Sequence, residues 1–238
     1  MKKQLIIIAI MAASLSQGQT MFAQMFGKAE TPIPAVAWYK LDGNALDSSG
    51  NGYTGTVKGA VVTNGYFGQG YYFGGAAAVI DRATSQGLVN GASGTVCFWM
   101  KADSRETKYT WSVAQNGQAF FWSRRESDGR VSARLYQGSQ AFWVYSTSKY
   151  SAGTWVHVAF RWGVTGWKIS INGAPEGTDA NTTAVNLGAS TLTVGAQYPD
   201  IPMNGSMDDV RIFDRALSVA NIQRIMTGQS VQPVEELQ

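Results

Sequence analysis

Between residues 35 and 228 the chain runs as short stretches in which apolar and polar side chains alternate. Gly, Asn, Asp and Ser break these stretches at the spacing of strands in a sandwich or barrel. The clearest runs are 95–101, 118–124, 131–136, 142–146, 155–162 and 167–171. Alternation is what a strand shows when one face of an antiparallel sheet is buried and the other is wet. The run Trp155-Val156-His157-Val158-Ala159-Phe160 is more uniformly apolar and reads as an inner strand. Asn172-Gly173 and Asn116-Gly117 are hairpin-turn dipeptides. Only 218–226 predicts a helix: Ser218 caps it, Val219, Ile222, Ile225 and Met226 fall on one side, and Gly228 stops it.

The ends read differently. Met1-Lys2-Lys3 followed by the apolar run from Leu5 to Leu15 has the form of a secretory signal, with 1–23 as the expected cleaved segment. That run is too short to span a bilayer stably, so no membrane association is expected after its removal. Residues 24–34 read as a Pro-containing linker, 35–228 as one domain, and 229–238 as a tail.

Composition supports an all-β chain, since 27 glycines and 8 tryptophans suit tight turns around an aromatic core. Loss of Lys2 and Lys3 lowers the formal charge from +3 to +1, which gives no electrostatic reason to expect nucleic acid as a partner. The lone Cys97, between Val96 and Phe98, reads as a small core residue.

Ordered blocks then resemble the laminin-G-like jelly-roll domains of the concanavalin A-like lectin and glucanase superfamily. Trp38 to Asn44 with Asp47 to Gly52 resembles the opening strand and its loop, and Phe67-Gly68-Gln69-Gly70 with Phe73-Gly74-Gly75 the next hairpin. Gly94 to Lys101 resembles the following strand, and Gly153 to Ala159 with Ile171-Asn172-Gly173 the central pair. Gly205 to Phe213 followed by Arg215-Ala216-Leu217-Ser218 resembles the closing strand and helix. The resemblance implies two curved antiparallel sheets packed face to face, a jelly-roll β-sandwich with one short C-terminal helix. It does not fix an activity, because this fold serves lectins, adhesion modules and enzyme appendages alike.

Catalysis finds little support. The glutamates within the domain are Glu106, Glu126 and Glu176, and none has a carboxylate two or four residues away within a clear strand, as a glycosidase pair would need. The only histidine, His157, lies mid-strand among apolar neighbours and reads as a buried, satisfied core residue. Oxygen donors for calcium are available at Asp47, Asn51 and Gly52, with Asp42 nearby and Asp208 brought close by the resemblance, which implies a structural Ca2+. The same loop residues are also good turn formers, Asp47 through an Asx-turn.

Candidate ligand-binding residues are aromatic and basic. Alternation puts Phe120, Trp122 and Arg124 on one face of their run, Arg134 with Tyr136, and Trp143 with Tyr145. If these runs are neighbouring strands, one face carries Trp122, Arg124, Arg134, Tyr136, Trp143 and Tyr145, a set suited to stacking on sugar rings and bonding their hydroxyls. Large aromatics at period two also fill the core of a sandwich. The function expected is a secreted or cell-surface, non-catalytic, calcium-stabilised module that binds a glycan or polysaccharide. The alternative is a structural or protein-binding subunit of a cell-surface or extracellular assembly, with surface proteins as partners, and an enzyme with an unfamiliar site is the third class.

Overall fold

The computed structural model describes residues 32–74, 79–82, 88–89, 91–104, 108–115, 119–137, 140–187, 191–197 and 201–231. The chain divides into a compact unit, Pro34–Val231, and its two ends, Met1–Ile33 with Gln232–Gln238. The expected signal segment 1–23 and the Asn116-Gly117 turn lie outside the described residues.

The compact unit is built almost entirely of strands. In chain order they are β1 (Ala37–Tyr39), β2 (Thr56–Lys58), β3 (Val61–Asn64), β4 (Gln69–Phe73), β5 (Val79–Arg82) and β6 (Gly94–Ala102). Next come β7 (Lys108–Gln115), β8 (Ala119–Arg125), β9 (Val131–Gln137), β10 (Gln140–Tyr145), β11 (Val156–Trp162) and β12 (Trp167–Ile171). The last are β13 (Ala174–Asp179), β14 (Thr191–Val194), β15 (Ala196–Gln197), β16 (Ile201–Pro202) and β17 (Gly205–Phe213), before the helix α1 (Val219–Met226).

The first sheet has the order β13-β12-β11-β6-β17-β4-β3, with β1 also on β17. The second has the order β10-β9-β8-β7-β14-β5-β2, and every pairing is antiparallel. This is the expected two-sheet sandwich. Strands adjacent in sequence pair through tight turns, as at Asn172 and Gly173, whose φ values of 49° and 75° fit the left-handed conformation a two-residue hairpin requires.

The core lies between the sheets. Val96, Phe98 and Met100 of β6 and Val156, Val158, Phe160 and Trp162 of β11 meet Val131, Ala133 and Leu135 of β9 and Leu192 and Val194 of β14 in one buried cluster. Burial of a ring such as Phe98 or Phe160 contributes roughly 1.5–3 kcal/mol each.

Strand β6 is buried on both faces, which explains why its sequence is nearly all apolar. Its outer face is covered because the chain returns after β17. Thr95 Oγ1 donates to the Arg215 carbonyl and accepts from the Leu217 N–H, and Arg161 Nη1 donates to the Leu217 carbonyl. These bonds dock the start of α1, whose Ile222 and Ile225 are fully buried. Ser218 caps the helix as its sequence predicts, accepting from the Asn221 N–H at 3.2 Å. Packing continues beyond Gly228 to Val231, which is buried.

Candidate functional site

The aromatic and basic runs are neighbouring strands. In the second sheet Trp143 faces Arg134 across the β9–β10 pair, and Tyr136 and Tyr145 face Ala141 and Ser132. The alternate positions Ala133, Leu135 and Val144 are buried in the core, so Arg134, Tyr136, Trp143 and Tyr145 stand on the outer face, each half-buried. On the next strand the register sets Trp122 opposite Arg134 and Arg124 opposite Ser132. The Trp122 and Arg124 side chains lie outside the described residues.

These groups form a ladder. The Arg134 guanidinium lies 4.4 Å from the Trp143 ring centroid and 5.6 Å from that of Tyr136. Trp143 and Tyr145 stack nearly parallel, 5.8 Å apart, and the Arg130 guanidinium lies 4.9 Å over Tyr145. Much of the ring surface is therefore engaged within the ladder by cation–π and stacking contacts. What the row offers a ligand is ring edges, tyrosyl hydroxyls and guanidinium groups in a fixed array.

The expected calcium donors lie in turns and make hydrogen bonds within the protein. Asp47 Oδ1 accepts the Trp38 and Ser49 N–H groups at 3.0 and 2.9 Å, and its Oδ2 accepts the Ser49 hydroxyl and the Tyr53 N–H, both at 2.9 Å. These bonds hold the Asp47 carboxyl below the usual carboxylate range even though burial pushes the other way. Asn51 donates to the Val36 carbonyl at 2.9 Å, and Gly52 is a turn residue with φ of 79°. Asp42 and Asp208 serve a different segment: Asp42 Oδ1 accepts the Gln69 N–H at 3.1 Å, and Asp208 Oδ2 accepts the Phe67 N–H at 2.7 Å. Among the described residues no three His, Cys, Asp or Glu side chains gather as a metal group would require. The expected donors thus fall into two sets, Asp47, Asn51 and Gly52 at one turn and Asp42 with Asp208 at another. Their carboxylates act as turn clamps, each accepting at least one backbone N–H.

The resemblance placed Phe67 to Gly70 in a hairpin, but the sequence reading missed the aromatic pair presented by the turn that Asp42 and Asp208 hold. Gly65 to Gln69 joins β3 to β4 and presents Tyr66 and Phe67 over the outer face of the first sheet. Tyr66 stacks on Trp99 with ring centroids 3.4 Å apart and planes 10° from parallel. Phe67 stands at right angles to Tyr66, 4.9 Å away, and Trp155 sits 6.3 Å from Tyr66 at 75°. A Cβ at Gly65 would overlap the Gln69 carbonyl oxygen and lie 2.7 Å from Asp208 Oδ2. One at Gly70 would lie 2.8 Å from the Met207 carbonyl oxygen. The signal was present as an aromatic pair bracketed by Gly65, Gly68 and Gly70.

Beneath this cap runs a buried polar row. The register sets His157, Trp99 and Asp208 side by side on β11, β6 and β17. His157 is fully buried as expected but not satisfied, since neither imidazole nitrogen meets a hydrogen-bond partner among the described residues. Trp99 Nε1 and Asp208 Oδ1 are likewise without one. Burial, with the Arg211 charge second, pushes His157 down to about 3, and burial pushes the Asp208 carboxyl up to about 7. Asp209, at a bulge with φ of 49°, pairs with Arg211 (Nη2 to Oδ2, 2.9 Å) and accepts the Trp38 indole N–H at 2.6 Å. Cys97 is buried, and burial pushes its thiol up to about 12, as befits a core residue.

Two further carboxylates, Glu176 and Glu126, accept hydrogen bonds at turns. Glu176 Oε2 accepts the Thr147 and Ser148 N–H groups at 2.9 and 2.8 Å and also the Thr147 hydroxyl, while Oε1 accepts the Tyr150 hydroxyl at 2.8 Å. Glu126 accepts the Ser132 hydroxyl at 2.5 Å.

Comparison with known proteins follows the fold. The laminin-G profile described as the concanavalin A-like lectin/glucanases superfamily matches residues 73–223. The chain belongs to this superfamily. Among solved members of the fold, domain 4 of AbnA, a GH43 extracellular arabinanase from Geobacillus stearothermophilus, in complex with arabinotriose, superposes with a TM-score of 0.72. The sequences are 24% identical, over 82% of this chain and 100% of that one. The ligand-binding domain of botulinum neurotoxin serotype D, in complex with N-acetylneuraminic acid, gives a TM-score of 0.65 at 18% identity over 82% of this chain. This chain spans 51% of that domain. A heptameric SAP-like pentraxin from Limulus polyphemus gives 0.52 at 23% identity, over 68% of this chain and 83% of that one. At these identities the likeness is one of fold. No curated protein matches the chain in sequence. For this lectin/glucanase-type sandwich, two outer faces are thus set out: the ladder on the second sheet and the Tyr66 cap on the first.

Proposed function

We propose that the protein is an exported, non-catalytic carbohydrate-binding module whose principal site is the outer face of the second sheet. The observation that carries this reading is the alignment of Arg134, Tyr136, Trp143 and Tyr145 on one half-exposed face, with Trp122 and Arg124 next in register. A fixed row of ring edges, hydroxyls and guanidinium groups hydrogen-bonds the hydroxyls of successive sugar units, while the rigid ladder keeps the entropy cost of binding low. Two fold relatives form complexes with arabinotriose and with N-acetylneuraminic acid, which supports a saccharide partner. Export rests on the Lys2-Lys3 start and the apolar run after it.

The non-catalytic assignment rests on the carboxylates. Among the described residues the carboxylate raised toward neutrality, Asp208, is fully buried beneath the Tyr66 turn, out of reach of a substrate. Glu176 and Asp47 are consumed in holding loops. The test is titration of the full-length protein against a glycan array. Trp143→Ala and Tyr145→Ala are expected to weaken binding about tenfold. Unchanged affinity in both variants would remove this face as the site.

One feature favours a second reading, a protein-binding subunit. Strand β3 ends the first sheet, and its Val61 and Val62 are 61% and 41% exposed with no charge among Val61–Asn64 to discourage pairing. A mass that rises with concentration in sedimentation, and falls with Val62→Lys, would support it.

A further inference from the structure

The outer face of the first sheet carries a ring whose presentation the ladder does not match. Tyr66 is 43% exposed although one face of its ring is fully covered by Trp99 at 3.4 Å. Centroid separations of 3.4, 4.9 and 6.4 Å among Tyr66, Phe67 and Trp99 place Phe67 beside the Tyr66 ring and not over it. The ring face turned away from Trp99 is therefore not covered by Phe67. Trp155, half-exposed, lies 6.3 Å from Tyr66 and inclined at 75° to it, and the Lys101 ammonium lies 5.2 Å over the Trp155 ring.

We infer that Tyr66, Trp155 and Lys101 form a second saccharide-binding surface, on the sheet opposite the ladder. This rests on the reading above that the protein binds glycans. A pyranose or furanose ring lays its C–H face on Tyr66 and its edge against Trp155, and a carboxylate or hydroxyl of the same sugar accepts from Lys101.

The turn that carries Tyr66 is rigid for stated reasons. The Phe67 and Gln69 N–H groups are held by Asp208 and Asp42, the Gly65 N–H donates to the Gly68 carbonyl at 3.1 Å, and neither Gly65 nor Gly70 has room for a side chain. A large apolar ring held out toward solvent by so many constraints is pre-organised for a partner and gains nothing for the fold by its open face. Asp208 and Asp42 act as positioning residues, since they touch the turn and not the sugar.

The experiment is calorimetric titration of the full-length protein with arabinotriose and with N-acetylneuraminic acid, after an array of neutral and anionic oligosaccharides has identified further probes. The wild type is expected to bind two equivalents of saccharide per chain. Tyr66→Ala and Trp155→Ala each remove one equivalent or weaken it at least about tenfold, while Tyr66→Phe, which keeps the ring, stays within about threefold. Lys101→Met weakens the anionic sugar more than the neutral one. Near-ultraviolet circular dichroism checks that the Trp99 environment survives in each variant. If Tyr66→Ala and Trp155→Ala retain wild-type affinity and stoichiometry while Trp143→Ala abolishes binding, this second surface is wrong and the ladder reading stands. Silence of the wild type across the whole array overturns both.

Discussion

The two outer faces of the sandwich use the same residue types to opposite ends. On the second sheet the rings and guanidinium groups of Tyr136, Arg134, Trp143, Tyr145 and Arg130 lean on one another, so contact with solvent is through their edges. On the first sheet Trp99 is wholly covered by Tyr66, and the covering ring is itself left open. The difference arises from what lies above each sheet. Among the described residues the rings of β9 and β10 stack on one another and on guanidinium groups, whereas the β3–β4 turn folds back over β6 and adds a second aromatic layer. Beneath that layer the first sheet also encloses His157 and Asp208, and the ladder has no such buried titrating row among the described residues.

The largest expected effect follows from that enclosed row. Asp208 is raised from 3.8 to about 7 in the folded protein, so its contribution to stability is fully present below pH 3.8 and is lost as the pH rises through about 7. Asp208→Asn keeps an oxygen for the Phe67 N–H and removes the ionisation. The variant is expected to exceed the wild type at pH 8 by on the order of a few kcal/mol and to lose the downward slope between pH 5 and 8 in urea unfolding. His157 acts with the opposite sign: lowered from 6.5 to about 3, it stabilises above pH 6.5 and less so as the pH falls toward 3, and that limb survives in Asp208→Asn.

A smaller effect sharpens the other side of the comparison. Arg134→Met keeps the aliphatic stem but removes the cation over Trp143 and Tyr136, at a cost of about 1–2 kcal/mol, seen as a melting temperature lower by about 2–8 °C. Because no buried acid lies in the ladder among the described residues, the loss is expected to be the same at pH 5 and pH 8. A pH-dependent loss would break the contrast between the faces.

Smaller again is the clamp beyond β10. Glu176 is lowered from 4.5 to about 2 although burial opposes it, because Thr147, Ser148 and Tyr150 donate to the ionised form. Its contribution is present above pH 4.5 and lost as the pH falls toward 2, so Glu176→Gln flattens the acid limb of the stability profile measured by thermal melts. The smallest expected effect is that of chelator. With Asp47 and Asp208 holding backbone N–H groups, EDTA leaves the melting temperature unchanged, and a downward shift would restore calcium to the Asp47 loop.

By itself the sequence determined the strands with strong period-two patterns, the capped helix after Ser218 and the burial of Cys97 and His157, because each depends on neighbours close along the chain. It also placed Arg134, Tyr136, Trp143 and Tyr145 on a common face, since alternation fixes the face once the strands are paired. Short strands such as β2, β3 and β13 were not legible, because their sides are exposed and carry little pattern. What fills an acceptor was not legible either. Asp47, Asp42 and Asp208 suit calcium and turn amides equally well, and only the closed fold brings Tyr53 N–H to the first, Gln69 N–H to the second and Phe67 N–H to the third. Whether an aromatic ring is core, ladder or open platform is decided in the same way. Trp99, Trp143 and Tyr66 differ in what long-range packing lays against their faces, and no local pattern records that.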